Sequence, residues 1–198
     1  MPTNMNRRSV LKKLSLLGAS SFLLPSVLSA ANDYQSSGPI YIPPGEGRKG
    51  RIGNMEVVFK FDKSQTSGHL GASETILQPG ELGAPPHLHQ NIDEICRVLE
   101  GSVFIMTGDI VTEVKAGGWH LRPKGQVHTF WNSGSVPAKT IDIYVPGGHE
   151  EYLKDLSGLF ENGNRPKPDD FKRLEKNHDI KYRFDLLPGI MEKYKVHL

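Results

Sequence analysis

The stretch APPHLHQNIDEICRVLEGSV, residues 84–103, decides the fold. Two histidines stand one residue apart, at His87 and His89, and a glutamate follows at Glu94. Alternate residues of a strand face the same side, so this pair projects both imidazoles toward one place. A turn over residues 90–93 would bring the chain back and set the glutamate beside them. The stretch therefore predicts part of a metal site carried on strands.

A second stretch, GGWHLRPKGQVHTFWN, supplies the fourth candidate ligand. Pro123 and Gly125 form a turn signal, and the strand that begins after the turn carries His128. We expect this histidine to point inward and to join the first three side chains.

Short segments rich in β-branched or aromatic residues recur through the middle of the chain, with glycine-containing turn signals between them. Eight strands at this spacing predict an all-β fold, either a closed barrel or a double sheet. The predicted strands are residues 54–61, 73–78, 92–99, 102–107, 110–114, 118–122, 128–132 and 138–145.

The N-terminus, residues 1–31, predicts a signal peptide that ends after Ala31. Its paired arginines, Arg7 and Arg8, precede an apolar run and resemble a twin-arginine signal. Such a signal implies a bacterial protein that the twin-arginine machinery exports, already folded, to the periplasm. An ordinary secretory signal is the alternative. A stable membrane anchor is disfavoured because glycine, serine and proline interrupt the apolar run.

Composition divides the rest of the chain and excludes some functions. Residues 32–53 are rich in glycine, proline and serine and predict an extended arm, residues 54–146 the barrel, and residues 147–198 a helical extension. The net charge of +2 comes from the leader, which holds four basic residues and no acidic one. The body therefore gives no indication of nucleic-acid binding. A single cysteine excludes an intramolecular disulfide.

With these spacings, residues 70–146 resemble the cupins, which are double-stranded β-helix or jelly-roll barrels defined by two motifs. The second motif matches at every position, whereas Glu81 replaces the leading glycine of the first. The matching residues are His87, His89, Glu94 and Gly101 in the first motif, and Gly117, Pro123, Gly125, His128 and Asn132 in the second.

The resemblance implies one divalent metal ion. Three imidazoles and a carboxylate suit Fe(II), Mn(II), Ni(II) or Zn(II) and leave one or two positions for water or substrate. Glu94 is also the candidate catalytic base. The implied ligands are His87, His89, Glu94 and His128, and the candidate substrate-pocket residues are Gln90, Cys96, Phe130 and Asn132.

The segment PGGHEEYLKDL, which follows the barrel, extends the likeness to quercetinase-like single cupins. This likeness implies a metal-dependent dioxygenase that acts on a small aromatic or enol-containing molecule. The alternatives are a redox-neutral isomerase, lyase or cyclase, and a non-catalytic binding protein. The resemblance also implies a homodimer. We expect His120 either in the pocket or outside it, and His69, His149, His178 and His197 at the surface.

Overall fold

The structure is a computed structural model that describes residues 38–198. The predicted signal peptide and the first part of the predicted arm lie outside the described residues. Within residues 38–198 the chain forms eleven strands, three α-helices and one short 3-10 helix. No helix in this range is long and apolar enough to cross a membrane.

The eight predicted strands are all present, and three further strands accompany them. The strands are β1 Arg48–Ile52, β2 Met55–Phe61, β3 Gly71–Leu77, β4 His87–Leu88, β5 Asp93–Glu100, β6 Ser102–Thr107, β7 Ile110–Lys115, β8 Trp119–Arg122, β9 His128–Trp131, β10 Ala138–Val145 and β11 Lys181–Tyr182.

These strands form two sheets whose strand pairs are all antiparallel. One sheet has the order β1-β2-β3-β10-β5-β8, and the other has the order β11-β4-β9-β6-β7. Because β8 and β9 are consecutive in the chain but lie in different sheets, the chain passes from one face of the barrel to the other between them. The predicted class, an all-β jelly-roll barrel with C-terminal helices, is confirmed.

Part of the predicted arm is a strand of the barrel's own sheet. β1 pairs with β2 over its whole length, from Arg48 opposite Phe59 to Ile52 opposite Met55. Gly53 has a φ of 60°, a left-handed conformation that glycine adopts without steric cost, and it forms the tight turn between the two strands. The arm prediction is therefore wrong for β1. The glycine- and proline-rich composition of this segment gave no strand pattern, so the β1–β2 hairpin was not predicted.

The helical extension contains α1 His149–Gly158, α2 Pro168–Asn177 and α3 Leu187–Tyr194. All three lie within residues 147–198, for which the sequence predicts a helical extension. A proline stands in the first turn of both α2 and α3, where its missing N–H costs no hydrogen bond. A 3-10 helix, Glu161–Gly163, separates α1 from α2.

The extension packs on the barrel through two apolar clusters. One joins strand residues such as Val57 and Leu77 to Leu156 of α1 and to Ile180, which precedes β11. The other lies outside the barrel, where Trp131 of β9 is fully buried against residues of the C-terminal segment that include Ile190. The extension thereby covers the part of the barrel that carries the candidate ligands.

Candidate metal centre

The four predicted ligands meet inside the barrel. Their donor atoms all lie within 4.8 Å of one another, and all four residues are buried. β4 carries His87, the loop after it carries His89, β5 carries Glu94 and β9 carries His128. The structure therefore positions four buried side chains to hold a metal ion.

Local pairing explains why residues distant in sequence converge. β4 and β9 pair with His87 directly opposite His128, which sets these two imidazoles side by side. The β8–β9 turn of the second motif is also bonded to the first motif, since the Gly125 N–H donates to the His89 carbonyl at 2.6 Å. The Lys124 N–H donates to the Asp93 carboxylate at 2.8 Å, just before Glu94.

Each of the three histidines has its Nδ1 beside a main-chain carbonyl. Nδ1 of His87 donates to Pro85 at 2.8 Å, and Nδ1 of His128 donates to Gln126 at 3.0 Å. Nδ1 of His89 donates to the carbonyl of Asp179, in the C-terminal extension. A carbonyl only accepts, so these contacts put the proton on Nδ1 and direct Nε2 into the cluster, as metal ligation requires.

The Nε2 atoms converge on one carboxylate. Nε2 of His89 lies 3.1 Å from Oε1 of Glu94, and Nε2 of His128 lies 3.5 Å from Oε2. Within the described part of the chain, His128 Nε2 is a buried polar atom without a hydrogen-bond partner. A nitrogen lone pair facing a carboxylate is unfavourable unless a cation lies between them. The donor set therefore fits a divalent ion.

The pKa shifts agree with this arrangement. Burial holds the pKa of His87 well below its usual value and also lowers that of His128. Burial opposes the charge on His89 too, but the hydrogen bond and charge of Glu94 outweigh it, so the pKa of His89 is raised. Burial would raise the pKa of Glu94, yet the charge of the adjacent Arg122 guanidinium holds it well below normal. Binding of an ion to the imidazole nitrogens would therefore compete with protonation of His89.

A buried polar chain, which the sequence did not predict, supports Glu94. Arg122 Nη1 lies 2.9 Å from Glu94 Oε2, and Nη2 of the same guanidinium donates to Asp142. Asp142 also accepts from the Thr140 hydroxyl at 2.8 Å, and that hydroxyl lies 2.6 Å from the hydroxyl of Thr75. Thr140 and Asp142 of β10 therefore place polar groups inside the barrel. These hydrogen bonds and ion pairs fix the position of the Glu94 carboxylate and keep it ionised.

His149 was expected at the surface and is instead buried. It is the first residue of α1, and its Nε2 lies 3.4 Å from Glu94 Oε1. Its ring centroid is 4.6 Å from that of His89 and 4.6 Å from that of Tyr144. Burial holds its pKa well below the usual value. The surface prediction was wrong because the helix begins directly over the barrel interior, which helical periodicity does not reveal.

A cavity of about 570 Å³ opens from the cluster toward the C-terminal helices. Its wall includes His87, Glu94, Arg122 and His149, and beyond them it is largely apolar and aromatic. The apolar lining includes Met55, Leu77, Phe130, Leu156, Phe171 and Tyr182.

Of the four candidate pocket residues, Phe130 lines this cavity. Gln90 is exposed, and Cys96 is buried deep in the barrel beside apolar residues such as Val98. Burial raises the pKa of the Cys96 thiol. Asn132 donates from its amide to the carbonyls of Leu77 and Val136, so it shapes the chain at this corner. These three residues lie away from the cavity wall. Strand parity predicts which face of a strand a residue occupies but not how far along the barrel it lies, so the sequence alone did not separate them from Phe130.

Comparison with known proteins supports the same class. Residues 73–144 match the family model described as Cupin domain. Germin-like protein subfamily 2 member 1 of Arabidopsis thaliana is 30% identical over 125 residues, which cover 59% of this chain and 51% of that protein. Germin-like protein subfamily T member 2 of the same plant is 34% identical over 100 residues, covering 46% and 44%. The chain thus spans about half the length of the curated relatives it matches.

Two solved structures share the fold. A predicted oxalate decarboxylase from Thermotoga maritima superposes with a TM-score of 0.51 at 19% identity, covering 54% of this chain and 99% of that one. KdgF from Halomonas sp. gives a TM-score of 0.50 at 16% identity, covering 57% and 99%. The barrel therefore has the cupin fold, and its residues 73–144 are similar to the Cupin domain family.

Proposed function

We propose that this protein is an exported metal-dependent oxidoreductase of the dioxygenase type, acting on a small aromatic or enol-containing molecule. The observation that carries the proposal is the cavity, in which metal-type ligands at one end adjoin aromatic and aliphatic side chains along the walls. Such a pocket suits a planar substrate with an apolar body and one polar end. The ion belongs at the polar end.

In this proposal the chain binds the ion and orients the substrate. The residues that bind the ion are His87, His89, Glu94 and His128. A redox-active divalent ion would supply polarisation of a substrate oxygen and access to O2 chemistry. Glu94 stays ionised beside Arg122, so it is available both as a ligand and as an acceptor for a substrate proton.

The walls of the cavity would select the substrate and exclude water. The ring of Phe130 lies beside Arg122, with its centroid 5.5 Å from the guanidinium carbon, and both residues face the cavity. The hydroxyls of Tyr152 and Tyr182 lie 2.7 Å apart and join α1 to β11 across another part of the wall. A planar molecule seated between these aromatic groups would present its oxygen atoms to the cluster.

The test is oxygen uptake by protein whose metal content has been measured, with a panel of phenolic and enolic compounds. We expect consumption of O2 that requires the ion and is lost in His128→Ala. The control His69→Ala changes an exposed imidazole away from the cavity and should keep full activity. Product formation without O2 consumption would replace the proposal with a redox-neutral isomerase or lyase. Ligand binding without turnover would replace it with a binding protein.

A further inference from the structure

Asp179 lies between α2 and β11 and contacts the ligand-bearing chain at three consecutive residues. Its main-chain carbonyl accepts the proton of His89 Nδ1. Its carboxylate accepts the N–H of Gln90 at 2.9 Å through Oδ1 and the N–H of Asn91 at 2.7 Å through Oδ2. No other residue in the described range accepts hydrogen bonds from all three of these positions.

The three contacts act on the geometry of two ligands. The carbonyl selects the His89 tautomer whose Nε2 faces the cluster and fixes the direction of its ring. The carboxylate holds the turn over Gln90 and Asn91, which leads directly to Glu94. A β4 strand of only two residues provides little constraint of its own, so the turn depends on such outside contacts.

The segment around Asp179 is itself fixed on both sides. His178 Nε2 lies 2.8 Å from the carboxylate of Asp155 in α1. Ile180 is 1% exposed within an apolar cluster, and Tyr182 pairs with His87 where β11 joins β4. A segment anchored in this way can impose a position on His89 rather than follow it.

We propose that Asp179 is a positioning residue of the metal centre, through which the C-terminal extension sets the affinity of the site. The residue lies outside the segment 73–144 that matches the cupin model. The metal site therefore depends on a part of the chain beyond the barrel. This inference rests on the proposed metal centre but not on any substrate.

The effect should be measured as metal affinity. Loss of an outer contact to a metal-ligating histidine typically lowers affinity about 10-fold to 100-fold. Asp179→Ala keeps the carbonyl contact to His89 but removes both carboxylate contacts, which hold the turn that leads to Glu94, so we expect a loss at the lower end of that range. Asp179→Asn keeps one acceptor oxygen, and we expect a smaller loss. Asp185→Ala is the matched control because its carboxylate, on the same extension, accepts hydrogen bonds from the Arg183 side chain and, within the described range, none from residues 87–91.

The experiment titrates metal-free full-length protein with Zn(II) against a chelator and records the absorption spectrum of the Co(II)-loaded form. Urea unfolding of the metal-free variants identifies conditions in which each remains folded. A merely structural role would lower the unfolding midpoint and leave the zinc affinity and cobalt spectrum of the folded protein unchanged. That result in Asp179→Ala would overturn the inference. If Asp179→Ala does not fold, wild-type affinity and spectrum in Asp179→Asn would overturn it. A wild-type protein that binds no ion would instead contradict the metal centre itself.

Discussion

The guanidinium of Arg122 lies 2.9 Å from the carboxylate of Glu94, so a permanent positive charge adjoins the one acidic member of the cluster. Both side chains are 3% exposed. In such surroundings the positive charge keeps the carboxylate ionised and also competes electrostatically with a bound cation. This pair connects the stability of the metal-free protein to its capacity to bind an ion.

Replacing Arg122 with leucine should destabilise the metal-free protein. Glu94 and Asp142 would remain buried without their cation, and breaking a buried ion pair from one side typically costs about 3–5 kcal/mol. The measurement is the free energy of unfolding in urea.

The control for this prediction is Arg51→Leu, which breaks an exposed pair with Glu56, and exposed pairs contribute about 1 kcal/mol or less. Added Zn(II) should restore part of the stability of Arg122→Leu, since the ion supplies positive charge beside Glu94. Equal losses in the two variants would show that the buried pair is not integral to the site.

The stability of the metal-free protein should fall between pH 7 and pH 5. Burial lowers the pKa values of His87, His128 and His149, so below about pH 6.5 the unfolded chain binds protons that the folded chain does not. Each such group removes at most about 1.4 kcal/mol per pH unit. His89 acts in the opposite direction because its pKa is raised, but it is one residue against three.

Urea midpoints at pH 7, 6 and 5 measure this slope. His149→Gln should flatten it, because one of the three groups is then absent from both the folded and the unfolded states. His69→Gln, at an exposed position, should not. A midpoint that stays constant or rises toward pH 5 in the metal-free wild type would be incompatible with three buried neutral histidines.

Gly83→Ala should alter the cavity while leaving the metal site intact. A Cβ at Gly83 would lie 2.2 Å from Cε2 of Phe130, so the ring must move. Overpacking of this kind typically costs about 1–3 kcal/mol. Because Phe130 lines the cavity, we expect weaker substrate binding with wild-type metal content. Gly158→Ala is the control, since its Cβ meets nothing within 4 Å. Unchanged substrate binding in Gly83→Ala would argue against Phe130 as part of the pocket.

Replacing Arg7 and Arg8 with lysine should hold the protein in the cytoplasm with its native metal. The physical reason is competition between metal ions, because nitrogen-rich sites prefer Cu(II) and Zn(II) over Mn(II) or Fe(II). A chain that folds before export would acquire its ion where Cu(II) and Zn(II) are scarce. Routing the same chain unfolded through the general secretory path should yield a zinc- or copper-loaded form. The measurement is elemental analysis of both products, and identical metal content would remove this reason for a twin-arginine signal.

Sequence reasoning predicted the barrel well because its strands are short and turn-bounded and because the ligand spacings are specific. Residues 84–103 and the turn before His128 were sufficient to bring four side chains into one place. The missing leading glycine of the first motif also has a local explanation. Gly80 takes the left-handed conformation, and the neighbouring Glu81 accepts the Gln78 N–H at 2.9 Å.

In β10 the apolar residues do not identify the inward face, because part of the barrel interior is polar. The apolar residues Ile141 and Ile143 of this strand suggest an inward-facing set, whereas the structure buries Thr140, Asp142 and Tyr144 instead. Apolar residues mark the inner face of a strand only where the interior is apolar, and here it contains an ion-pair network. The parity of β8, which places Arg122 on the inner face just before Pro123, was the available signal.

The contacts between the C-terminal extension and the barrel could not be predicted. His149 and Asp179 reach the cluster only because the extension folds back on the barrel, and no local pattern encodes that return. His149 is the first residue of α1, and Asp179 follows the end of α2. Spacing gives the type of an element but not the neighbour against which it packs.

The most direct test of the central claim is equilibrium metal binding to full-length, metal-free protein, with Zn(II) and Mn(II) as the ions. We expect one ion per chain for the wild type and loss of most bound metal in each of His87→Ala, His89→Ala and His128→Ala. Glu94→Gln should retain metal more weakly, because the amide keeps an oxygen but loses its charge. Full occupancy in all three histidine variants, with His69→Ala as the matched control, would contradict the assignment of the site.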